Sequence, residues 1–244
     1  MRKTAYANTF MRRETKYLLT EELEKALLER LRGCMTEDVF SQQTNGSLYC
    51  DSPDDILIRT SLEKPVYRQK LRLRTYGIPD NDSIAFIEIK KKFKGVVYKR
   101  RAQTTYGAAV AYLGGGALPE CTGYNDVQVI QEIDWLVKRF RLAPRTAIFY
   151  DRRAFHGNDD PELRLTFDRN IRYRNDQLDL RSGTGGRLLA AQPHCIMEIK
   201  SAGAIPLWLV HILSELSLEP GSFSKYGTAY RESLSDHTRS EKYV

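Results

Sequence analysis

Four basic side chains occupy alternate positions of one short segment, which runs from Tyr67 to Arg74. They are Arg68, Lys70, Arg72 and Arg74. Successive side chains of a β-strand point to opposite faces, so these four share one face, and Leu71 and Leu73 share the other. The leucines require a hydrophobic core. The charged face is either exposed to water, as on any surface strand, or lines an enclosed space suited to a polyanion.

The same alternation of polar and apolar residues recurs in five further predicted strands. Their polar faces carry Lys16, then Glu88 and Lys90, Lys99 and Arg101, Arg164, and Glu198 and Lys200. Any one of these strands is best explained as the exposed face of a two-layer sheet, whereas all six together favour an interior face. Interior cations repel one another and lose hydration unless carboxylates, water or a bound anion compensate them. The candidate interior carboxylates, Glu14, Glu88, Asp168 and Glu198, are too few to neutralise them all. Glu88 is also a candidate structural ion-pair partner of Lys90 or Arg72.

The composition indicates a folded protein with anionic partners. The 244 residues carry 38 Lys+Arg against 31 Asp+Glu, a formal charge of +7, and 41% are hydrophobic, which argues against disorder. Cys34, Cys50, Cys121 and Cys195 form no C-x-x-C pair, so neither a zinc site nor a disulfide framework is expected. No signal peptide and no membrane segment are recognisable, and we expect a cytoplasmic location.

The order of predicted elements favours one α+β domain over residues 1–244, with a polar, frayed tail at about 231–244. Strands are predicted at 11–19, 47–51, 67–74, 84–92, 96–101, 144–150, 162–168 and 195–200. Helices are predicted at 21–32, capped by Thr20, and at 55–62, 104–113, 126–140, 206–218 and from 222. A hairpin is expected at Gly95, and Trp135 and Trp208 are expected in the core. An antiparallel β-barrel with polar side chains inside and helices packed outside accounts for both faces of the strands.

Nine short motifs in a fixed order then match a known family. They are R-x-E-x-K-Y at 12–17, Y-C-D-S-P at 49–53, K-L-R-L-R at 70–74, E-I-K at 88–90, Y-K-R-R at 98–101, Y-D-R at 150–152, L-R-L-T-F-D at 163–168, M-E-I-K at 197–200 and F-S-K-Y at 223–226. The chain resembles the triphosphate tunnel superfamily, also called CYTH-like, and within it the polyphosphate polymerase domain of the vacuolar transporter chaperone (VTC) type. Each motif alone is weak, and their order over nearly the whole chain is specific.

The resemblance implies a β-tunnel whose basic interior holds a phosphate chain. It implies phosphate ligands at Lys16, Arg72, Arg74, Lys90, Lys99, Arg152, Arg164, Lys200, Ser224 and Lys225, with Arg101 on the tunnel wall. Of these, Arg72, Arg74, Lys90, Arg152 and Arg164 are the expected catalytic residues. The resemblance also places Tyr150 near the nucleotide, and Glu198 as the carboxylate that holds Mn²⁺ or Mg²⁺.

One departure separates subfamilies of this superfamily. Hydrolytic tunnel enzymes usually begin with E-x-E-x-K, but the first acidic position is occupied here by Arg12. One metal ligand of the hydrolases is therefore missing, and Glu14 is expected to pair with a base instead. This difference favours a polymerase over a triphosphatase or an adenylate cyclase.

The function implied is transfer of the γ-phosphate of ATP to a growing inorganic polyphosphate chain, with release of ADP. ATP and polyphosphate are then the partners. Nucleic acid is not expected, because the tyrosines are scattered and form no platform for stacking bases. Two alternatives stay open at this point. They are a tunnel-type triphosphatase acting on tripolyphosphate or on nucleoside or RNA triphosphates, and a polyphosphate-binding module without catalysis.

Overall fold

A computed structural model describes residues 13–39, 42–94, 96–121 and 123–240 of the chain. The position of Arg12, the hairpin predicted at Gly95 and the last four residues of the expected tail lie outside this described part. The chain divides into two compact units. Unit 1 contains Gly46–Ile148 and Arg174–Thr184, and unit 2 contains the described residues of Arg12–Asn45, Phe149–Tyr173 and Gly185–Val244.

The described residues form ten strands and six α-helices. The strands are β1 (Arg13–Leu19), β2 (Met35–Glu37), β3 (Gln43–Asp51), β4 (Tyr67–Tyr76), β5 (Ile84–Phe93), β6 (Val96–Thr105), β7 (Ala143–Gly157), β8 (Arg164–Arg174), β9 (Arg187–Leu188) and β10 (Cys195–Ser201). The helices are α1 (Glu21–Arg30), α2 (Ile56–Leu62), α3 (Tyr106–Leu113), α4 (Tyr124–Phe140), α5 (Leu207–Glu215) and α6 (Lys225–Ser240).

Unit 1 is built on the antiparallel order β3-β4-β5-β6. The register places Arg72 of β4 opposite Glu88 of β5, and Glu88 opposite Arg101 of β6. On the other face of β4, Leu71 and Leu73 are fully buried. Helices α2, α3 and α4 pack against these strands. The alternation in the sequence therefore separates a polar face from an apolar face that the helices cover.

Unit 2 repeats this division around the order β1-β10-β8-β7, with β2 paired to β7 and β9 to β8. Lys16 lies opposite Glu198, which in turn lies opposite Thr166 on the polar face. The alternate residues of these strands, among them Phe167 and Met197, form a core with α1 and α5. The predicted α+β class, with antiparallel strands and helices on their apolar face, is confirmed.

Thr20 caps α1 as predicted, because its hydroxyl accepts a hydrogen bond from the Leu23 amide at 3.3 Å. The strand predicted to end at 150 continues to Gly157, and β2 was not predicted. The polar segment expected as a tail is helical as far as Ser240. The prediction for Trp135 is wrong, since this side chain is 63% exposed on α4, whereas Ile133 and Leu136 carry the buried face. In the described part of the chain, no helix has the length and apolar character needed to span a membrane.

Candidate functional site

Glu88 is the centre of the polar face of unit 1. This carboxylate is 1% exposed and binds three cations: Arg72 through Nη2 at 2.7 Å, Lys99 at 2.6 Å and Arg74 through Nε at 3.8 Å. Burial raises the pKa of Glu88, but the charges of Arg72, Lys99 and Arg74 outweigh burial and hold the pKa well below its ordinary range. We call these four residues the Glu88 cluster. Its carboxylate is ionised at neutral pH and keeps three predicted phosphate ligands close together.

Two side chains of β3 fix the arginines of the Glu88 cluster further. Arg72 donates through Nη1 to the Tyr49 hydroxyl at 3.2 Å, and its guanidinium lies 5.9 Å from the centre of that ring. Arg74, itself buried, donates through Nη2 to Ser47 at 3.2 Å. Burial raises the pKa of Tyr49, but Arg72, Lys70 and Arg74 outweigh it and lower the pKa to about 8. The guanidinium groups are thus oriented before any ligand binds, which lowers the entropic cost of binding.

Asp168 has the corresponding position in unit 2. Its carboxylate is 1% exposed, accepts two hydrogen bonds from Arg152 at 2.6 and 2.8 Å, and accepts one from Lys225 at 2.7 Å. The Tyr150 ring lies beside both cations, with its centre 4.4 Å from Lys225 Nζ and 5.2 Å from the Arg152 guanidinium. Burial disfavours the charges, but Arg152 and Lys225 hold the pKa of Asp168 well below its ordinary value. Tyr150 and then Asp168 hold the pKa of Arg152 well above its ordinary value against the effect of burial. These four residues form the Asp168 cluster.

Glu198 lies between two lysines on the polar face of unit 2. Its carboxylate oxygens are 3.1 Å from Lys200 Nζ and 3.9 Å from Lys16 Nζ. Lys16 also donates to the Phe223 carbonyl at 3.1 Å, close to the start of α6. The Ser224 hydroxyl accepts from the Gly227 amide at 3.1 Å and so caps α6. The structure therefore joins Lys16, Glu198 and Lys200 in one group, and places Ser224 and Lys225 at the beginning of one helix.

The remaining predicted residues have other surroundings. Arg164 forms an ion pair with Asp38, whose other carboxylate oxygen is 2.8 Å from His156 Nδ1. The Arg101 guanidinium lies 4.6 Å from the centre of the Phe86 ring. In the strand register, Lys90 stands opposite Lys70 on one side and Lys99 on the other. Their roles in binding phosphate stay predictions.

Sequence reasoning missed Ser47 and Asp38 as partners of predicted ligands. Ser47 could have been found, because it alternates with Tyr49 along β3 and so shares its face. Asp38 follows the short strand β2, which carries no recognisable alternation. The predicted pairing of Glu88 with Arg72 is confirmed, and the structure adds Lys99 and Arg74 to the same carboxylate.

The donor set around Glu198 restricts how a divalent ion could bind. Among the described residues, no group of three or more His, Cys, Asp or Glu side chains could hold a metal ion. Mg²⁺ and similar ions are commonly held by one or two carboxylates, with water and substrate phosphates as the other ligands. Glu198 fits that mode, and it does not fit a cage made of protein ligands alone.

Comparisons with solved structures identify the fold class. A candidate adenylate cyclase from Bacillus halodurans has a TM-score of 0.55 at 13% identity, covering 89% of this chain and 96% of that chain. A candidate adenylyl cyclase from Hippeastrum, described as having a dominant triphosphatase activity, has a TM-score of 0.47 at 13% identity, with 90% and 93% covered. The first likeness is one of fold, and the class of protein is that of the triphosphate tunnel fold.

The family follows from the sequence itself. The model of the VTC domain family matches residues 11–234. The chain belongs to the VTC domain family. No curated protein matches it.

Proposed function

We propose that this protein transfers the γ-phosphate of ATP to the end of an inorganic polyphosphate chain and releases ADP. For a member of the VTC domain family, one observation supports this proposed reaction. Three carboxylates, Glu88, Asp168 and Glu198, hold seven of the predicted phosphate ligands in ion pairs: Arg72, Arg74, Lys99, Arg152, Lys225, Lys16 and Lys200. In each unit the paired cations outnumber these carboxylates, which suits a ligand that carries several negative charges, such as a phosphate chain.

The chemistry asks the protein mainly for alignment and charge neutralisation. A terminal phosphate oxygen of the acceptor chain attacks the γ-phosphorus of ATP, and the bond from that phosphorus to the β,γ-bridging oxygen breaks. The attacking phosphate is largely ionised at neutral pH because its last pKa is about 6. No general base is therefore required. The residues expected to neutralise charge on bound phosphates are Arg72, Arg74 and Lys90 in unit 1, and Arg152 and Arg164 in unit 2.

A bound divalent ion, Mn²⁺ or Mg²⁺, would neutralise further charge on the triphosphate, and Glu198 would hold it.

We expect E198Q to bind tripolyphosphate more tightly than wild type in EDTA, because Lys16 and Lys200 are released. We also expect Mn²⁺ not to increase the affinity of E198Q for tripolyphosphate. Isothermal titration calorimetry with and without Mn²⁺ measures both effects. D168N is the matched control, which also releases cations and should keep the Mn²⁺ effect. An identical Mn²⁺ response in E198Q and wild type would contradict the assignment.

Lys99 gives the binding of phosphate a pH dependence. Burial lowers the pKa of this ammonium to about 7, with the charges of Arg72 and Arg74 adding to the shift and Glu88 opposing it. A bound polyanion raises the pKa again, so binding takes up protons where the free lysine is partly neutral. The contribution of Lys99 to affinity is therefore fully present below about pH 7 and declines as the pH rises. Tyr49, with a pKa of about 8, adds a further loss above that pH.

The comparison of wild type with K99R isolates this effect, because arginine stays charged throughout and the ligand's own ionisation is the same for both. We expect the affinity of K99R relative to wild type to rise between about pH 6.5 and 8. Calorimetry in buffers of different ionisation enthalpy should show more proton uptake at about pH 7.5 in wild type than in K99R, in which Tyr49 still titrates. Parallel affinity profiles for the two proteins would contradict the depressed pKa.

One assay tests the proposed reaction against its alternatives. The protein is incubated with ATP and Mn²⁺, and the products are analysed by gel for long polyphosphate, with ADP and orthophosphate measured in parallel. Polyphosphate formed with matching ADP supports the proposal. Orthophosphate without polymer identifies a triphosphatase, and affinity for tripolyphosphate without turnover identifies a binding module. Either of these two results would overturn the polymerase assignment.

A further inference from the structure

Thr166 occupies the middle of the polar face of unit 2. It lies on β8 directly opposite Glu198 of β10, and Glu198 lies opposite Lys16 of β1. Its chain neighbours Leu165 and Phe167 are buried in the core. By the alternation of a strand, the Thr166 side chain therefore points to the face that carries Glu198 and the two lysines. Side chains directly opposite in an antiparallel pair have Cβ atoms about 5 Å apart, so Thr166 is a direct neighbour of Glu198.

The hydroxyl of Thr166 is buried without a hydrogen bond. The residue is 4% exposed, and Oγ1 has no partner among the described residues. The hydroxyls of Thr146 and Thr44 have partners, since Thr146 donates to Asn175 Oδ1 at 2.8 Å and Thr44 donates to Asp151 at 2.8 Å. Thr75 Oγ1 is also buried without a partner among the described residues, but Thr75 alternates with Arg74 and so lies on the apolar face of β4. Buried polar groups without partners are rare in folded proteins, because each costs about 1–3 kcal/mol. The cost at Thr166 indicates that a partner from outside the chain satisfies this hydroxyl.

The surroundings define the chemistry of that partner. The neighbouring charged side chains, Lys16, Glu198 and Lys200, are long and flexible, and the lysines rest on the carboxylate at 3.9 and 3.1 Å. A phosphate chain competes for these ammonium groups and draws them away from Glu198. The Thr166 hydroxyl, on the same face and opposite Glu198, can then donate a hydrogen bond to a phosphate oxygen, which is a strong, charge-assisted acceptor.

We propose that Thr166 is a further substrate-binding residue, whose hydroxyl donates to a phosphate oxygen of the bound oligophosphate. The inference rests on the proposed function and adds an uncharged ligand to a site otherwise predicted from its charges. Because the hydroxyl is neutral, its contribution to affinity should be insensitive to ionic strength, whereas contributions from lysines weaken with added salt.

The test is a pair of substitutions, T166V and T166S, measured by calorimetry with tripolyphosphate in EDTA. Valine has the shape of threonine and its preference for strands, and it removes only the hydroxyl. We expect T166V to weaken binding by about 10- to 100-fold, equally at low and high salt, because the lost hydrogen bond is to a charged group. T166S keeps the hydroxyl and should bind within about threefold of wild type. Without ligand, the melting temperature of T166V should rise by about 2–4 °C, since an unsatisfied group is removed.

T146V is the matched control, because Thr146 is also a buried threonine on a strand, but one whose hydroxyl has a partner. It should lower the melting temperature and leave the affinity for tripolyphosphate unchanged. The inference is overturned if T166V binds as tightly as wild type, or if it behaves like T146V. Should T166V not fold, T166A against T166S gives the same comparison, and equal affinities of those two would overturn it. Wild-type protein that does not bind tripolyphosphate at all would refute the proposed function itself, a result distinct from all of these.

Discussion

Replacement of Glu88 by glutamine should lower the free energy of unfolding by about 3 kcal/mol, because it leaves three cations without their shared carboxylate in a buried setting. For a chain of this size the melting temperature should fall by about 6–12 °C. The pKa of Glu88 is lowered in the folded protein, so its stabilisation is present above the unfolded pKa of about 4.3 and is lost as the pH falls towards the folded value. Thermal unfolding at neutral pH therefore shows the full effect.

Glu132 provides a matched control for this substitution. It lies on α4 and also pairs with two cations, Lys91 and Arg100, which alternate to the opposite face of β5 and β6. Its side chain is 21% exposed, so E132Q should cost less than about 1 kcal/mol. Tripolyphosphate should restore the stability of E88Q by more than it stabilises wild type or E132Q, because the ligand replaces the missing negative charge. Equal losses in E88Q and E132Q, or no rescue by ligand, would show that the Glu88 cluster is not a polyanion site.

The second large effect concerns catalysis by Arg74. We expect R74A to lower kcat/KM for polyphosphate synthesis by at least about 10³-fold, the scale found when an arginine that stabilises a phosphoryl transition state is removed. Arg74 is buried and already oriented by Ser47 and Glu88, so its guanidinium offers bidentate hydrogen bonding at a fixed position. The measurement is the initial rate of ADP and polyphosphate formation from ATP.

R100A is the control for loss of an arginine from the same sheet. Arg100 pairs with Glu132 away from the polar face, and its removal should change kcat/KM by less than about fivefold, the factor that corresponds to about 1 kcal/mol. Circular dichroism and thermal unfolding must show that R74A is folded. A folded R74A with wild-type kinetics would remove Arg74 from the catalytic machinery and leave it a structural role.

The sequence predicted the faces of the strands well, because alternation needs only the pleat of the backbone. Leu71 and Leu73 point to the core and Arg72 and Arg74 to the opposite face, as predicted. Where the pleat is interrupted, the prediction loses its basis. Asn170 on β8 has a left-handed φ of 51°, which interrupts the alternation of the strand. Arg172 and Asp168 are both even-numbered positions and would share a face in a regular strand, yet Arg172 pairs with Asp151.

The choice of ion-pair partners could not be predicted from the sequence. Glu88 binds Lys99, which is eleven positions further along the chain, because the register of β5 and β6 and the reach of the lysine bring them together. Several cations were equally close to Glu88 in the predicted strands, and only packing distinguishes them. The prediction that Trp135 is buried failed for a related reason. A large aromatic residue suggests burial, whereas the helical periodicity of α4 decides which side of the helix faces the core.

The shared carboxylates make phosphate binding an exchange reaction. A phosphate that binds Arg72 or Lys99 must first displace Glu88, and one that binds Arg152 must displace Asp168, so the affinity at each position is a difference between two strong attractions. The net free energy of binding is then small, even where the attraction of the cations to the phosphate and their attraction to the carboxylate are both large. Within each unit, a phosphate held in this way can exchange with the carboxylate without escaping from a deep minimum. We therefore expect the buried carboxylates to favour release of bound phosphate, so that variants that lack them should bind it more tightly and turn over more slowly.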